Sequence, residues 1–482
     1  MNIKPISLAI AVLGTGFTVL SGASYASGYH FGTQSVSAQA TANASAAEAN
    51  DATTLFYNPA GMTRLKGTQF SGALNLVAPS VKYSNASGNY PNQPARNPAN
   101  PSQVGIKPGT AIAGSTGGKI TDDLIVVPQM YLTHQINDRI TAGLGIYVPF
   151  ASETDYERTS VLRYNVNQTS LTTIDINPTI AFKLNDQHSV AVGLIAQRAE
   201  AELRQYANFA GAVLGIPHGV ADGYAEVEGD DWGFGFNLGW LWEIDQDTRI
   251  GLSYRSPIKH TLKGKADWTT PSSGPFAAVG AVAQANGYID SDVSVDIKTP
   301  ESLSLHGYKK IDPKWAVMAD LTWTKHSRFD KVDIQYAVPK NAPFSQAVHG
   351  GVRAPATTLN PKWDDTWKLA IGASYQYSDP LQLRFGVAYD KSPVPSEDFR
   401  MSTMPDNDRI WFSVGGRYDF DKKNSLNVAY SYVHIKDSKA KVNGYCGGAT
   451  AGAVNCVSSY TTGQAEYKSH AHILGVQYNY HF

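Results

Sequence analysis

From Gly67 onward the chain alternates apolar and polar residues with a period of two, the pattern of strands with one greasy and one polar face. The last stretch is the clearest. Leu474, Val476, Tyr478, Tyr480 and Phe482 share one parity, while Gly475, Gln477, Asn479 and His481 share the other. The pattern recurs at 70–76, 126–132, 140–148, 174–182, 190–196, 232–240, 250–254, 303–307, 315–323, 367–375, 381–389, 410–418 and 426–432. With 472–482 this makes about fourteen segments, an even number, as single-chain bacterial outer-membrane barrels require.

The connections sort by length. Short polar turns fall at 137–138, 185–186, 245–247, 312–313, 378–380 and 421–424. Between them lie long loops at 80–118, 150–160, 205–229, 267–289, 338–363, 393–408 and 438–463. Short turns on one rim and long loops on the other predict a transmembrane barrel, with periplasmic and extracellular ends respectively. A soluble sandwich has no reason to sort its loops this way.

The N-terminus supplies an address and a plug. Lys4, an apolar run over 6–20 and Ser24-Tyr25-Ala26 read as a secretory signal peptide over 1–26. Residues 27–66 are rich in Ala, Ser, Thr and Asn, without strand alternation, yet carry Tyr29, Phe31, Phe56 and Tyr57. A solvated tail has no use for those aromatics. A barrel of this strand number is too wide for side chains alone to fill, so this segment is expected inside it as a hatch. The expected fold is therefore all-β: a 14-stranded antiparallel transmembrane β-barrel over 67–482, plugged by an N-terminal hatch segment.

Composition narrows the function. A formal net charge of −1 gives no support for a nucleic-acid partner. The two cysteines, Cys446 and Cys456, flank a small-residue loop in an exported chain and are expected as a disulfide, with no metal ligand beside them. Residues 114–121 only imitate a phosphate-binding loop, so no cofactor or energy source is expected.

With the apolar parity facing lipid, the other parity lines the lumen. It places Arg163, Asp175, Arg255, Asp320, Lys368, Arg384 and Arg417 inside, together with Tyr147, Ile195, Tyr308, Met318 and Trp411. Either the charges pair across the lumen and the apolar side chains pack on the hatch, or the mixture holds an amphiphile with an anionic head. Pro149, followed by Phe150 and Ala151, sits where the third strand should continue. Proline cannot donate a ladder bond, so the strand either ends there or opens the wall sideways. Phe209, Val213 and Leu214 in one long loop and Phe276 in the next form apolar patches that either bind a ligand or cover each other.

At Asn58-Pro59-Ala60 the chain resembles the FadL-type long-chain fatty acid transporters of Gram-negative outer membranes, whose hatch closes on this motif. The resemblance continues through G-D-D-W-G-F-G-F-N-L-G at 229–239, T-W-T-K-H-S-R-F at 322–329, A-Y-D-K-S-P-V-P at 388–395 and P-D-N-D-R at 405–409. Where His326 stands the family often has Trp. The resemblance implies a shallow site between the third and fourth long loops, a deeper one in the barrel, hatch rearrangement, and lateral exit at the third strand. It also implies basic residues that hold a carboxylate, for which Arg204 and Lys362 are the nearest matches. The implied partners are a hydrophobic small molecule such as a fatty acid, outer-membrane lipids and lipopolysaccharide, for a monomer in the bacterial outer membrane.

An apolar path spares a greasy solute about 0.8 kcal/mol per methylene kept from water. Three alternatives stand beside fatty acid uptake: an aromatic hydrocarbon channel of the same fold, a polar-solute porin, and a lipid-active enzyme. The enzyme reading would need Ser469 and His434, His470 or His472. His470 and His472 share the lipid-facing parity, and no oriented triad can be assembled, so no catalytic residue is expected.

Overall fold

In the computed structural model, residues 29–210, 216–342, 352–443 and 457–482 are described. Fourteen antiparallel strands close on themselves. The first, Thr68–Asn89, pairs with the fourteenth, Thr462–His481, from Gln69↔His481 up to Asn89↔Thr462. Closure removes the free edges of the sheet, which is what a sheet in hydrocarbon needs. Between them run Ile125–Asn137, the two-piece third strand Ile140–Tyr147 and Ala151–Asp155, then Gln168–Lys183, His188–Asn208 and Asp222–Glu243. Strands seven to ten are also in two pieces: Thr248–Arg255 with Ile258–Thr269, Ser291–Thr299 with Ser302–Lys310, Trp315–Thr324 with Val332–Ala342, and Val352–Leu359 with Thr366–Ser378. Leu381–Asp390, Arg409–Asp419 and Asn424–Asn443 complete the wall.

The lipid-facing parity is as expected: Leu194, Phe234, Phe385, Phe412, Leu474 and Val476 are exposed on the outer surface. Two expectations need correcting. Several strands are longer than the alternation suggested, and the first and sixth reach 22 residues each. Part of each supposed long loop is therefore wall, standing above the membrane. Arg163 is not on a strand but in a turn segment between the third and fourth strands, where its guanidinium lies 3.8 Å from Asp222. The signal-peptide residues 1–26, Val213, Leu214, Cys446 and Cys456 lie outside the described residues.

Residues 29–66 fill the barrel. They form two single-turn helices, Val36–Gln39 and Thr54–Tyr57, and a 3-10 turn, Pro59–Arg64. Ser35 caps the first helix and Asn58 caps the last turn, its side-chain oxygen accepting from the Ala60 amide at 3.1 Å. The small side chains have a purpose. A Cβ placed on Gly386 in the eleventh strand would lie 2.0 Å from the Thr41 backbone, so hatch and wall approach as closely as backbones can.

Polar bonds fix the insert in place. Gln477 accepts from the Val36 amide (2.9 Å) and donates to Asp51 (3.0 Å). The Asn58 side chain donates to the Trp240 carbonyl at 2.9 Å and meets His306 at 2.8 Å. Arg384, fully buried, holds both Glu48 oxygens at 2.8 and 2.9 Å and donates to the Ser37 carbonyl at 3.2 Å. Removing one partner of such a pair strands the other charge at a cost of about 3–5 kcal/mol. Arg384→Ala is therefore expected to loosen the hatch selectively. Hydrogen exchange over residues 36–57 should accelerate while barrel amides stay protected, and unchanged exchange over 36–57 would contradict this.

Candidate functional site: a gap in the wall and two cavities

The third strand breaks where its sequence says it must. Its lower piece pairs with the second strand from Asn137↔Ile140 up to Met130↔Ile146 and stops. Its upper piece pairs with the fourth strand, Ala151↔Thr172 to Asp155↔Gln168. Backbone contact on that side resumes where the Asp155 amide donates to the carbonyl of Ile120, in the segment ahead of the second strand, at 2.9 Å. Between these points, around Val148-Pro149-Phe150, the wall has a window.

The hatch covers that window from inside. The Phe31 amide donates to the Pro149 carbonyl at 2.8 Å, and the Ala151 amide donates to the Tyr29 carbonyl at 3.0 Å. These two bonds frame an antiparallel His30↔Phe150 bridge of the closer, non-hydrogen-bonded type. The Gln34 side chain adds a bond to the Val148 carbonyl at 2.7 Å. Phe31 packs behind the window with Ile125, Val127, Val148 and Ala151, burial worth about 1.5–3 kcal/mol for the ring alone. The residues left unpaired by the proline thus find partners in residues 29–34.

Tyr29 stands at a crossroads. Its ring stacks on Trp363 (5.4 Å, 20°) and meets Phe150 and Phe329 edge-on at 5.5 and 5.6 Å. Above it lies an apolar cavity lined by Leu203, Val227, Leu262, Val293, Ile334 and Leu359 among others, with Tyr29 as part of its floor. Below lies a chamber of mixed lining, more polar than the upper one, bounded by His30, Phe31, Pro149, Phe150, Arg255, Asp320, Lys368 and Asp390. Residues 29–31 therefore separate an apolar upper space from a more polar lower one, and cover the window at the same level.

Most charges in the chamber are matched. Arg255 bonds Asp175 at 3.1 Å and the Tyr147 hydroxyl at 3.0 Å, and lies over the Phe56 ring. Asp390 is 3.7 Å from Arg409. Lys368 differs: its ammonium lies over the Trp411 ring at 4.7 Å with no close ion pair among the described residues, and Asp390, opposite it in register, and Asp320 attract it from farther off. It is the chamber cation best placed to accept an anionic guest.

The residues singled out from sequence separate into groups. Pro149 and Phe150 line the chamber and Ala151 is buried behind the window; Asn58, Pro59 and Ala60 form a seat of the hatch. Tyr147 faces the lumen and donates to Asn177 at 2.9 Å; Trp411 is fully buried against hatch alanines 42 and 44 rather than lining either cavity. Phe209 and Phe276 belong to one loop cluster, in which Phe209 meets Tyr288 edge-on at 4.9 Å. Arg204 points outward, paired with Glu202 at 2.7 Å and Glu226 at 3.3 Å. Lys362 is exposed in a turn at φ 48°, its ammonium over the Phe399 ring.

Sequence reading missed the upper cavity, although a signal exists. Above the membrane the outer face meets water, so the alternation inverts: Ala201 and Leu203 face in while Glu202 and Arg204 face out. Val293 and Val295 do the same between Asp292, Ser294 and Asp296, with Val293 buried. A period-two run with charged rather than greasy alternates marks this apolar-walled vestibule.

These features define a class: a closed outer-membrane barrel with an internal plug, an apolar vestibule and a side window. The chain matches the family described as outer membrane protein transport protein (OMPP1/FadL/TodX) over residues 17–482, and it belongs to that family. It is 42% identical over the full length of both chains to NMB0088 of Neisseria meningitidis serogroup B, a protein named for the outer membrane. It is 28% identical to the long-chain fatty acid transport protein of Escherichia coli K12, covering 79% of this chain and 83% of that one. Among solved structures, a Pseudomonas aeruginosa FadL homologue superposes with a TM-score of 0.79 at 21% identity, covering 94% of this chain and all of the other. The protein is thus an outer-membrane transporter of the hydrophobic-compound family, integral to the membrane as a β-barrel.

The loop cap offers a pH test. His218 stacks on Tyr90 at 4.8 Å, accepts from Asn208 at 2.6 Å and donates to the Pro91 carbonyl at 2.9 Å, a bonding pattern of the neutral ring. Burial holds its pKa below the ordinary 6.5. With a depressed folded value, its contribution is complete above about pH 6.5 and disappears as pH falls through that lower value. Hydrogen exchange around Tyr90 and His218 should rise on going from pH 7.5 to pH 5, and much less in His218→Gln. Equal pH dependence in the two proteins would contradict the assignment.

Proposed function

We propose that the protein carries long-chain fatty acids, or hydrophobic molecules of similar shape, passively across the outer membrane. The solute enters among the loop aromatics, lodges in the apolar vestibule and reaches the chamber when residues 29–31 withdraw from Tyr29's aromatic cluster. It then leaves sideways through the window at Pro149. The observation that carries this reading is the position of residues 29–31, which bridge the broken third strand while separating the two cavities.

The physical logic is a sequence of matched environments. The vestibule accepts an alkyl chain, and Lys368 offers a carboxylate one charge in a chamber whose other cations are already paired. Removal of the N-terminal segment from the window exposes Ile125, Val127 and Val148, an apolar sill to the bilayer. No step consumes energy; flow follows the gradient. An open polar-solute pore is disfavoured by the hatch bonds. An aromatic hydrocarbon remains the second cargo, because it would fit the vestibule without needing Lys368.

Uptake of labelled oleate and toluene, in cells lacking their own transporter and complemented with this chain, separates the cargoes. Lys368→Met should weaken oleate uptake about tenfold, the scale of one charged hydrogen bond, and leave toluene uptake unchanged. Equal loss of both, or of neither, would contradict a carboxylate role. In a Cys446→Ser, Cys456→Ser background, the pair His30→Cys and Phe150→Cys should form a disulfide across the non-hydrogen-bonded bridge. Oxidised protein should stop transporting and recover on reduction. Full transport by the oxidised form would exclude the window segment as the gate.

A further inference from the structure

One outward patch has no part in this account. On the outer face, Lys119 of the short strand Gly118–Lys119, which precedes the second strand, Lys82 of the first strand and Lys468 of the fourteenth stand in register across adjacent strands. Like charges set directly opposite each other on a sheet are destabilising. Lys82 and Lys468 are nonetheless both exposed to the outside. One step lower, His434 of the thirteenth strand faces His470, and His472 lies beside it, the His470 and His472 rings 5.5 Å apart. Tyr430 and Tyr432 flank them, Tyr430 bonding His472 at 2.7 Å.

The acids nearby pair with the two ends of this row and leave its centre, Lys82, without a partner among the described residues. Lys119 is bonded to Asp123 at 2.5 Å, and Asp437 is 3.9 Å from Lys468. Glu466 is engaged by Lys439 at 2.7 Å.

Height decides what the patch can meet. Below it on the fourteenth strand, Leu474, Val476 and Tyr478 are exposed to lipid, down to Phe482 at the periplasmic rim. With about 3.3 Å per residue and a tilt near 40°, His472 stands roughly 25 Å above Phe482, and Lys468 roughly 10 Å higher. An outer-membrane barrel's apolar band is about 25 Å tall. The histidines and tyrosines therefore mark its upper edge, and the lysines stand at the level of the outer-leaflet headgroups.

We infer that Lys119, Lys82, Lys468 and His470 form a binding site for the phosphorylated sugar headgroup of the outer-leaflet glycolipid, with its acyl chains lying on the apolar face below. A bound phosphate relieves the lysine–lysine opposition that the bare row retains, and the aromatic and histidine edge beneath it meets the glycolipid where sugar gives way to acyl chain. The site lies on the outside of the first, thirteenth and fourteenth strands and of the short strand ahead of the second, clear of the cavities, and does not depend on which solute is carried.

Native mass spectrometry of the full-length protein in detergent tests this, with bisphosphorylated lipid A and fully dephosphorylated lipid A as probes. The wild-type protein should bind the phosphorylated form at least about tenfold more tightly. Lys82→Gln with Lys468→Gln should abolish that preference. Lys259→Gln with Lys265→Gln, exposed lysines on the seventh strand, should leave it intact, and heat-modifiable gel migration should report a folded barrel in each case. Equal binding of the two lipids by the wild-type protein overturns the site regardless of how the variants fold. A preference retained in the Lys82/Lys468 variant, or lost equally in the control, would mean diffuse charge attraction and overturn it too.

Discussion

A sheet in hydrocarbon must pair every backbone group, because no water is present to take an unpaired one. The rest of this molecule follows from meeting that demand around a closed sheet, and from how the groups are taken up where a ladder is interrupted, above all between the second and third strands. Where the second and third strands separate, Pro149 removes a donor, and the groups left over are taken up by residues 29–34 of the plug. The lateral window and the hatch are thus one device: the wall is completed by a segment of the plug and not by a neighbouring strand.

The strength of that completion is graded. The body of the hatch is held by its Glu48 on Arg384, by Gln477 of the wall and by its Asn58 on the Trp240 carbonyl, all at buried positions. At residues 29–31 the leading segment is held by two backbone bonds and ring contacts, the side-chain bonds at Thr33 and Gln34 lying farther in. Local opening draws on the least-bonded regions first. A hatch that keeps its seat while its leading strand moves is what those bonds favour, and it would connect vestibule, chamber and window without emptying the barrel.

Much of the wall was legible. Alternation located all fourteen strands, because lipid on one side and a filled lumen on the other leave each residue only one allowed face. Pro149 was legible because its chemistry is local. The upper wall was not read correctly, because there water replaces lipid outside and the parity inverts; Arg204 consequently belongs with Glu202 and Glu226 and not with the lumen. Lys362 was chosen by motif position, whereas Lys368, six residues on, acquires its character from a ring and a cavity contributed by distant strands. Tyr29 carried a faint signal, an aromatic in a segment of small residues. Its partners Trp363, Phe329 and Phe150 come together only when the barrel closes.

The central claim is that solute moves the leading hatch segment off the third strand. Amide exchange at Phe31 and Ala151, measured in the purified protein with and without oleate, addresses it directly. Both amides are donors in the bonds that cover the window, and both should lose protection when oleate is bound, while the Val36 amide, held by Gln477, keeps its own. Unchanged protection at Phe31 and Ala151 under saturating oleate would contradict the account.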